Sequence, residues 1–451
     1  MSSNFLNLFK QKLFCTVLFL GCNCLVAQTK TVQQCIEIAI KNNQNLANNQ
    51  LDDLIYGAKI SETKADLYPQ LKLKGSYQYY LNVPTSLVPA SVFGGSAGQF
   101  SPSQFLVPQN TTSSVDFSWQ LYNPSILAAI KINKLSKEIN ETTIKDKTET
   151  IIYDVSATYL NIQINELQVN LTKSNIDNLN KNLGLTTKLF DQGFVLRSNI
   201  DNIKVSIVNL ETVLTTQENV VKQLYYLLKV FMGKNPNDDF KVEKFKDEPI
   251  IAKQNTIVID STAYKNRASF KALQQAGEII KLEKRTIKSG YLPIVNLIGS
   301  FGYTGFNTKF NPFQVYNNKW YPTNLVQLNV EISIFDGFKK RAQILKNKYQ
   351  TQQNENSLKY LKNTFQMEQL NALNAYNTTT KDFEFQTQNL ALANKLYKQK
   401  QLEYQNNTSS LNDLINVENT LKSAQTNYLN TIIKLKIAEL DLKKTAGQLN
   451  Q

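Results

Sequence analysis

Few residues of this sequence are suited to catalysis or metal binding, because its 451 residues include no histidine. The missing imidazole excludes a Ser-His-Asp triad, a Cys-His pair and the usual ligand sets of zinc enzymes. Three of the four cysteines, Cys15, Cys22 and Cys24, lie near the amino terminus, and only Cys35 lies beyond them. We therefore expect neither a disulfide framework nor a metal site built on cysteine pairs.

Patterns for binding phosphate or nucleic acid are also missing. Gly299, Gly302 and Gly305 have the wrong spacing for a dinucleotide-binding loop, and no P-loop is present. The formal charge of +14 is spread along the chain without a cluster of like charges. Such a distribution favours a solvated face near anionic lipid over a nucleic-acid partner. The prediction is a protein that is not an enzyme and has no cofactor.

The carboxylates show one recurring pattern, an acidic residue three positions after a serine. Ser410 and Asp413 have the spacing of a capping box, in which the two side chains secure a helix start. Ser198 and Asp201 repeat that spacing in the first half of the chain. Each pair predicts a turn followed by a helix.

The elements around these turns occur twice in the sequence. Pro69 opens a run that alternates apolar and polar residues, and Pro293 opens a matching run 224 residues later. Alternation is typical of β-strands, either on a soluble core or in a membrane barrel with a wet lumen. The strands predicted from it are listed by residue number: about 70–82, 113–122, 293–306 and 325–335.

If these strands lie in a membrane, the chain must form an oligomer. Trp119 and Trp320 lie in or beside them, as aromatic residues do at membrane interfaces, although aromatic residues also favour strands in general. The segments at 84–112 and 307–321 are predicted to be long exposed loops. Four strands cannot close a barrel, and an open edge in lipid leaves backbone groups unpaired. Three copies would close it, with Asp116, Gln120 and Glu331 predicted to face the lumen.

Most of the remaining sequence predicts helix. Long helices are expected at about 124–190 and 337–404, each of about 100 Å at 1.5 Å per residue. Shorter helices at about 197–232 and 411–446 carry apolar residues at alternating spacings of three and four, which indicates coiled-coil packing. The predicted organisation is a first repeat at 28–232, a linker at 233–256 and a second repeat at 257–451.

The first 27 residues are predicted to be a signal peptide. Lys10 and Lys12 precede an apolar run that is too short to span a bilayer, and cleavage after Ala27 is expected. Lipidation at Cys22 is the alternative. Beyond residue 27 no apolar stretch reaches about 18 residues, so no membrane helix is expected, whereas a membrane barrel stays open.

The duplicated order of helix, β-hairpin, long helix and coiled-coil helix resembles the TolC family of outer-membrane efflux and secretion channels. Local similarities lie at 31–43, 67–70, 183–193 and 231–233. The resemblance implies a mainly α fold with a β-barrel part, in which a homotrimer forms a twelve-stranded barrel in outer-membrane lipid and a coiled-coil α-barrel in the periplasm. It further implies a passive exit duct for an inner-membrane transporter, reached through a periplasmic adaptor in a tripartite efflux or type I secretion system.

The resemblance also assigns residues at the two tip turns. In the family an acidic pair rings the periplasmic constriction, and the matching positions are Asp413 and Asn416. Links between the turns hold the closed state. The matching positions for these gate-closing contacts are Tyr404, Ser198, Asn199 and Ser409. The turn positions are Gly193 and Asn407. At Asn407 an asparagine stands where the first turn has a glycine, and asparagine is the next best residue for a left-handed backbone conformation.

Two other classes of protein share some of these features. A periplasmic adaptor would also carry long helical hairpins, but it would not need four alternating strands ahead of them. A simple diffusion porin would need far less helix. The sequence does not identify the exported substrate.

Overall fold

The computed structural model describes residues 29–245, 262–309, 315–406 and 408–449. The predicted signal peptide, with Cys22 and Ala27, lies outside the described residues, as does part of the predicted linker. The described chain forms seven α-helices and eight strands. The helices are α1 Val32–Asn42, α2 Gln44–Ala65, α3 Pro124–Asp191, α4 Arg197–Phe231, α5 Ala268–Ser289, α6 Lys339–Gln405 and α7 Leu411–Thr445. The strands are β1 Thr29–Lys30, β2 Gln70–Tyr79, β3 Ser86–Pro89, β4 Phe100–Ser103, β5 Gln109–Tyr122, β6 Lys241–Val242, β7 Ile294–Asn307 and β8 Trp320–Glu331.

The mainly α fold with a smaller β part confirms the predicted fold class. α3 and α6 have 68 and 67 residues, and α4 and α7 have 35 residues each, so the duplication is visible in the helix lengths. None of the described helices is apolar over a stretch long enough to cross a bilayer.

The chain divides into two compact units, and each unit takes segments from both repeats. The first comprises the described parts of Met1–Gln50, Thr142–Lys271 and Tyr360–Gln451. The second comprises Leu51–Glu141 and Ala272–Lys359. The two repeats are therefore not separate compact units, because each long helix, α3 and α6, has residues in both units.

The second unit contains a four-stranded antiparallel sheet in the order β2-β5-β7-β8. Its register aligns Leu71 with Phe117, Phe117 with Gly299, and Gly299 with Val326. Since side chains alternate between faces, this row and its neighbours two residues away form one apolar face. The other face is mostly polar, with Ile298 and Leu325 among its residues by register.

Two strand predictions need correction. β8 begins at Trp320 and ends at Glu331, whereas the sequence predicted about 325–335. β8 thus begins within the predicted loop at 307–321, and it includes Pro322 because it is at the edge of the sheet, where proline is tolerated. The strand ends at Glu331 because its partner strand β7 begins opposite it, at Ile294. The predicted loop at 84–112 also contains a short hairpin, β3 with β4.

The first unit is built from helices and one two-stranded parallel sheet, β1 with β6. Its first apolar cluster joins α1, α3 and α4 around Cys35, Val155 and Leu228, all fully buried. Burial raises the pKa of the Cys35 thiol to about 11, so this thiol is inert at neutral pH. Gly233 follows the end of α4, has a φ of +64° and approaches Asn42 so closely that a Cβ would lie 2.2 Å from the Asn42 carbonyl oxygen. Only glycine is compatible with that packing.

A second apolar cluster in the same unit joins the two long helices, α3 and α6, to the two shorter helices, α4 and α7. It contains Ile176 and Leu179 from α3, Ile203 and Ile207 from α4, Tyr404 from α6, and Leu411 and Leu414 from α7. We call this set the tip cluster, because it is adjacent in sequence to both helix turns. Its side chains are nearly all buried, and such packing supplies most of the stability of a coiled coil.

Candidate functional site at the helix turns

The first turn joins α3 to α4 and is shaped by backbone geometry. Gly193 has a φ of +81°, which glycine adopts without strain. The amide of Phe194 donates to the carbonyl of Leu189 at 2.9 Å, closing the end of α3. α4 then begins at Arg197 after Leu196, which supplies no side-chain cap.

The predicted capping box at Ser198 is therefore wrong. The helix begins one residue earlier, so Ser198 and Asn199 lie within its first turn. Arg197 approaches Asp201 at 3.7 Å across one helical turn, a pair that favours this earlier start. Ser198 is exposed and Asn199 is half-buried.

The second turn joins α6 to α7 and is held by side chains. The amide of Thr408 donates to the carbonyl of Glu403 at 2.8 Å, a bond with the same span as the one that closes α3. Asn407, the position matching Gly193, lies outside the described residues. Ser410 caps α7: its hydroxyl accepts from the amide of Asp413 at 3.1 Å, and its own amide donates to the Asp413 carboxylate at 3.4 Å.

Asp413 is thus part of the predicted capping box. The hydroxyl of Ser410 donates to its carboxylate at 2.8 Å, and the hydroxyl of Ser409 lies at 3.5 Å from the same oxygen. The hydrogen bonds from Ser410 lower the pKa of this carboxyl below its usual value, and the positive charge of Lys400 lowers it further. The carboxylate is exposed and ionised at neutral pH.

Two charged residues of this turn were not predicted from the sequence. Lys400 and Glu403 pair at 2.6 Å within α6, and both interact electrostatically with Asp413. The lysine lowers the pKa of the Glu403 carboxyl, mainly through their hydrogen bond, while Asp413 acts in the opposite direction. Their spacing of three residues on a predicted helix is the signal that could have identified the pair.

The remaining predicted residues separate into two places. Asn416 is exposed on α7, one turn after Asp413. Tyr404 is 4% exposed, and its hydroxyl is hydrogen-bonded to Thr186 Oγ1 at 3.0 Å, which links α6 to α3. The structure therefore brings Tyr404 to Thr186, and among the described residues it shows no hydrogen bond from Tyr404 to Ser198 or Asn199.

Slightly farther from the turn, α7 buries a second carboxylate. Glu418 is 5% exposed and pairs with Lys422 at 3.1 Å. Desolvation raises the pKa of Glu418, although Lys422 opposes the shift. Burial, and secondly the negative charge of Glu418, raise the pKa of the neighbouring Tyr397. These groups line a polar cleft of about 250 Å³ with Asn178 and Gln425.

The site as a whole can hold or release helices but offers no catalytic chemistry. Asp413 and Asn416 are available to ions, the tip cluster is apolar, and the buried hydroxyl pair fixes two helices to each other. No group of three or more acidic or cysteine side chains within the described ranges could hold a metal ion.

Several known proteins are similar to this chain in sequence or in structure. The profile of the family "Outer membrane efflux protein" matches residues 35–201 and 261–448. Outer membrane protein TolC of Escherichia coli (strain K12) is 20% identical over 437 residues, covering 94% of this chain and 84% of that protein. Crystal structures of CusC and of the outer-membrane channel OprN superimpose with TM-scores of 0.75 and 0.72, at 14% and 15% identity. Each alignment covers 92% of this chain, with 91% of CusC and 90% of OprN, so the fold is shared over nearly the whole chain.

Proposed function

Since the chain belongs to the outer membrane efflux protein family, it is an outer-membrane efflux channel subunit, and we propose that three copies form one twelve-stranded barrel. It serves transport and catalyses no reaction. The periplasmic adaptor that the sequence left as an alternative finds no support in the family match. In this proposal a signal peptide at 1–27 exports the chain, and the helices extend into the periplasm.

The observation that carries this proposal is the opposite character of the two faces of the sheet. The apolar face is solvent-exposed from edge to edge: Leu71 is 71%, Leu73 80%, Phe301 51%, Val326 65% and Leu328 59% exposed. A contiguous apolar surface of this kind needs lipid or a partner protein to cover it. Lipid covers the outer face of a membrane barrel.

The other face carries a polar network. Lys74 pairs with Asp116 at 2.6 Å, and Ser300 donates to the same carboxylate at 2.8 Å. Thr112 and Thr304 are hydrogen-bonded at 3.2 Å. Gln120 and Glu331 lie at alternate positions on this face by register. We propose that this face, with Asp116, lines a water-filled lumen.

The edges of the sheet support closure by oligomerisation. β2 and β8 are the edge strands and run in opposite directions, because three antiparallel pairings separate them. β8 of one copy can therefore pair antiparallel with β2 of the next. Closure removes the edges of the sheet. In lipid each unpaired backbone group at an edge would cost a free energy on the order of several kcal/mol.

Aromatic residues at the two ends of the apolar face fit two membrane boundaries. Tyr303 and Trp320 lie at the end near the loops, at 57% and 41% exposure. Trp119 and Tyr122 lie at the end from which the helices start, at 38% and 40%. Tryptophan and tyrosine are enriched at such boundaries.

The first test of the channel is the mass of the particle extracted from outer membranes in mild detergent. Three chains per particle are expected, and extraction should require detergent. A monomer that is soluble without detergent would overturn both the barrel and the trimer.

A pair of variants tests which face meets lipid. Leu73→Arg places a charge on the apolar face of β2 and should reduce assembly in the outer membrane strongly, at a cost of about 2–4 kcal/mol near mid-bilayer. Ser76→Arg places the same charge on the polar face of the same strand and should be tolerated. Equal levels of the two variants in the outer-membrane fraction would contradict the assignment of faces.

We further propose that the helix turns are the periplasmic gate. Threefold copies of Asp413 would form a carboxylate ring there, with Asn416 as its second layer, and an adaptor that connects to an inner-membrane transporter would engage these turns. The gate-closing role carried over to Tyr404, Ser198, Asn199 and Ser409 is a proposal of the same kind. Tyr404 acts within one chain, through Thr186.

The gate is tested by conductance. Asp413→Asn removes the proposed ring charge and should lower the cation preference of single channels, while Asp201→Asn, which removes an exposed carboxylate from the first turn of α4, should change it less. A cation preference that Asp413→Asn leaves unaltered would rule out a carboxylate ring at this position.

A further inference from the structure

A cleft in the second unit is not used by the function described above. It has a volume of about 510 Å³ and lies between α3, α5 and α6. Its lining includes Ile132 from α3, Glu283 and Ile287 from α5, and Lys346 and Asn347 from α6. Its size is in the range of clefts that bind small molecules.

Asn347 is the buried polar group of this cleft. It is 2% exposed, and its Nδ2 donates to the carbonyl of Ile280 at 2.8 Å. Its Oδ1 is buried and accepts no hydrogen bond from any residue that the structure describes. Buried carbonyl oxygens are rarely left without a donor, so this atom points to a ligand with an N–H or O–H group.

The charged residues of the cleft define the rest of such a ligand. Lys346 and Glu283 line the same cleft, and neither forms an ion pair within the described part of the chain. Lys340 completes the lining and is already held, 3.4 Å from Asp336 and over the ring of Tyr291. One unpaired cation and one unpaired carboxylate in a single cleft match a zwitterion. Ile132 and Ile287 add an apolar wall.

The position of the cleft along the chain places it close to the sheet. Gly290, which lines it, is separated from the start of β7 at Ile294 by three residues. The intervening Tyr291 and Leu292 are half exposed. If the sheet enters the membrane as proposed, this end is where headgroups of the inner leaflet lie.

From these observations we infer that the cleft binds the phosphoethanolamine headgroup of a phospholipid, an inference that rests on the proposed membrane insertion. The phosphate pairs with Lys346. The ammonium donates to Asn347 Oδ1 and pairs with Glu283. The glycerol and first methylenes contact Ile132 and Ile287. A headgroup without an N–H donor, or without a positive charge, satisfies only part of this arrangement.

The same helix provides a matched comparison one heptad away. Asn354 also donates its Nδ2 to a carbonyl of α5, that of Leu273, at 3.2 Å. Its Oδ1 lies against Gly277 of α5, 2.6 Å from the position that a Cβ on that glycine would take. Asn354 does not line the cleft. Replacing Asn354 therefore removes an equivalent helix–helix hydrogen bond without touching the proposed site.

The test is native mass spectrometry of the detergent-solubilised full chain with three lipids that differ only in headgroup. Phosphatidylethanolamine should bind about tenfold more tightly than phosphatidylcholine, the factor that one charge-assisted hydrogen bond supplies. Phosphatidylcholine has a quaternary ammonium and cannot donate. Phosphatidylglycerol should also bind less tightly, because it offers Glu283 no cation.

Variants assign the preference to the cleft. Asn347→Ala should reduce the preference for phosphatidylethanolamine to about twofold or less. Lys346→Ala should weaken the binding of all three lipids alike, by about fivefold, because they share the phosphate with which Lys346 pairs. Lys348→Ala and Asn354→Ala, the controls on the same helix, should retain both the preference and the binding. Lys346 is exposed, so its replacement leaves the fold intact even if Asn347→Ala loosens α5 against α6.

Three results would each overturn the inference: equal binding of phosphatidylethanolamine and phosphatidylcholine, a preference that persists in Asn347→Ala, or lipid binding that Lys346→Ala leaves unchanged. The same spectra report the number of chains. A trimer without lipid preference refutes the headgroup site and leaves the channel intact, whereas a monomer that keeps the preference refutes only the trimer.

Discussion

The two helix turns of this chain have matching positions in the repeat but are held by different means. The first turn relies on Gly193, with a φ of +81°, and α4 begins at Arg197 after Leu196, which supplies no side-chain cap. The second turn relies on Ser410 and Asp413, which exchange hydrogen bonds at the start of α7. Backbone geometry shapes one turn, and polar side chains hold the other.

A second contrast lies in the residues that precede the turns. Tyr404 on α6 matches Phe190 on α3, so at this pair of matching positions only the second repeat has a hydroxyl. Glu418 on α7 is buried, whereas Lys204 at the matching position of α4 is exposed. The two repeats share their helix lengths and their apolar seam. The polar contacts that hold a helix end lie mainly on the second hairpin, α6 with α7. We therefore expect the first hairpin to be the easier one to displace.

The largest expected effect comes from the tip cluster, which both hairpins share. Leu414 is 1% exposed, and Leu414→Ala should lower the free energy of unfolding of the helical unit by about 3 kcal/mol, through lost burial and a cavity. Because the cluster includes α3 and α4, cleavage by trypsin at Arg197 in the first turn should also accelerate. Thermal unfolding and limited proteolysis measure the two effects.

Leu392 provides the control for that change. It lies on α6 at 66% exposure and outside the tip cluster, so Leu392→Ala should alter stability by a few tenths of a kcal/mol, about the scale of surface substitutions. If Leu414→Ala leaves cleavage at Arg197 unchanged, the two turns are independent and the contrast between them has no mechanical consequence.

Tyr404→Phe removes the hydroxyl that distinguishes the second repeat. Thr186 is fully buried, and losing its partner should cost about 1–2 kcal/mol. Combining Tyr404→Phe with Thr186→Val should recover most of the loss, because both hydroxyls are then absent. Phe190→Tyr, at the matching position, should gain nothing. A full double-mutant cycle without coupling would show that the observed hydrogen bond does not contribute to stability.

Exchanging the caps is expected to have a smaller effect. Ser410→Ala should destabilise α7 by about 1 kcal/mol, and Leu196→Ser should stabilise α4 by about 0.5–1 kcal/mol, because it supplies the missing cap. Hydrogen exchange in the first turn of each helix measures the two changes. The comparison fails if Leu196→Ser has no effect while Ser410→Ala does.

The sequence alone was sufficient for the fold class because the signals were periodic and occurred twice. Alternation gave strands with one apolar face, and a three-four spacing gave coiled-coil helices. It failed at β8, which begins at Trp320 inside the predicted loop at 307–321. It failed again at Ser198, since serine followed by an acid three residues later does not guarantee a cap when Arg197 already begins the helix.

The candidate site was less predictable because its contacts depend on which helices are neighbours. Asp413 was assigned to a capping box from spacing, and the structure places it there. Thr186 could not be identified as the partner of Tyr404, since the two are 218 positions apart and no local pattern links them. The unpaired Oδ1 of Asn347 depends equally on packing between helices, and sequence gives no sign of it.

The smallest expected effect is a loosening of the second turn in acid. The usual pKa of an aspartate carboxyl is 3.8, and hydrogen bonds from Ser410 together with the charge of Lys400 hold the pKa of Asp413 below that value. A carboxyl with a depressed pKa stabilises the folded state fully above its unfolded pKa and loses that contribution as pH falls through its folded pKa. Protection of the first turn of α7, corrected for intrinsic exchange, should therefore fall below about pH 4. The first turn of α4 has no side-chain cap, so its protection should change less. Asp413→Asn should remove the acid transition of α7, and a transition that survives in this variant would assign it to Glu403 instead.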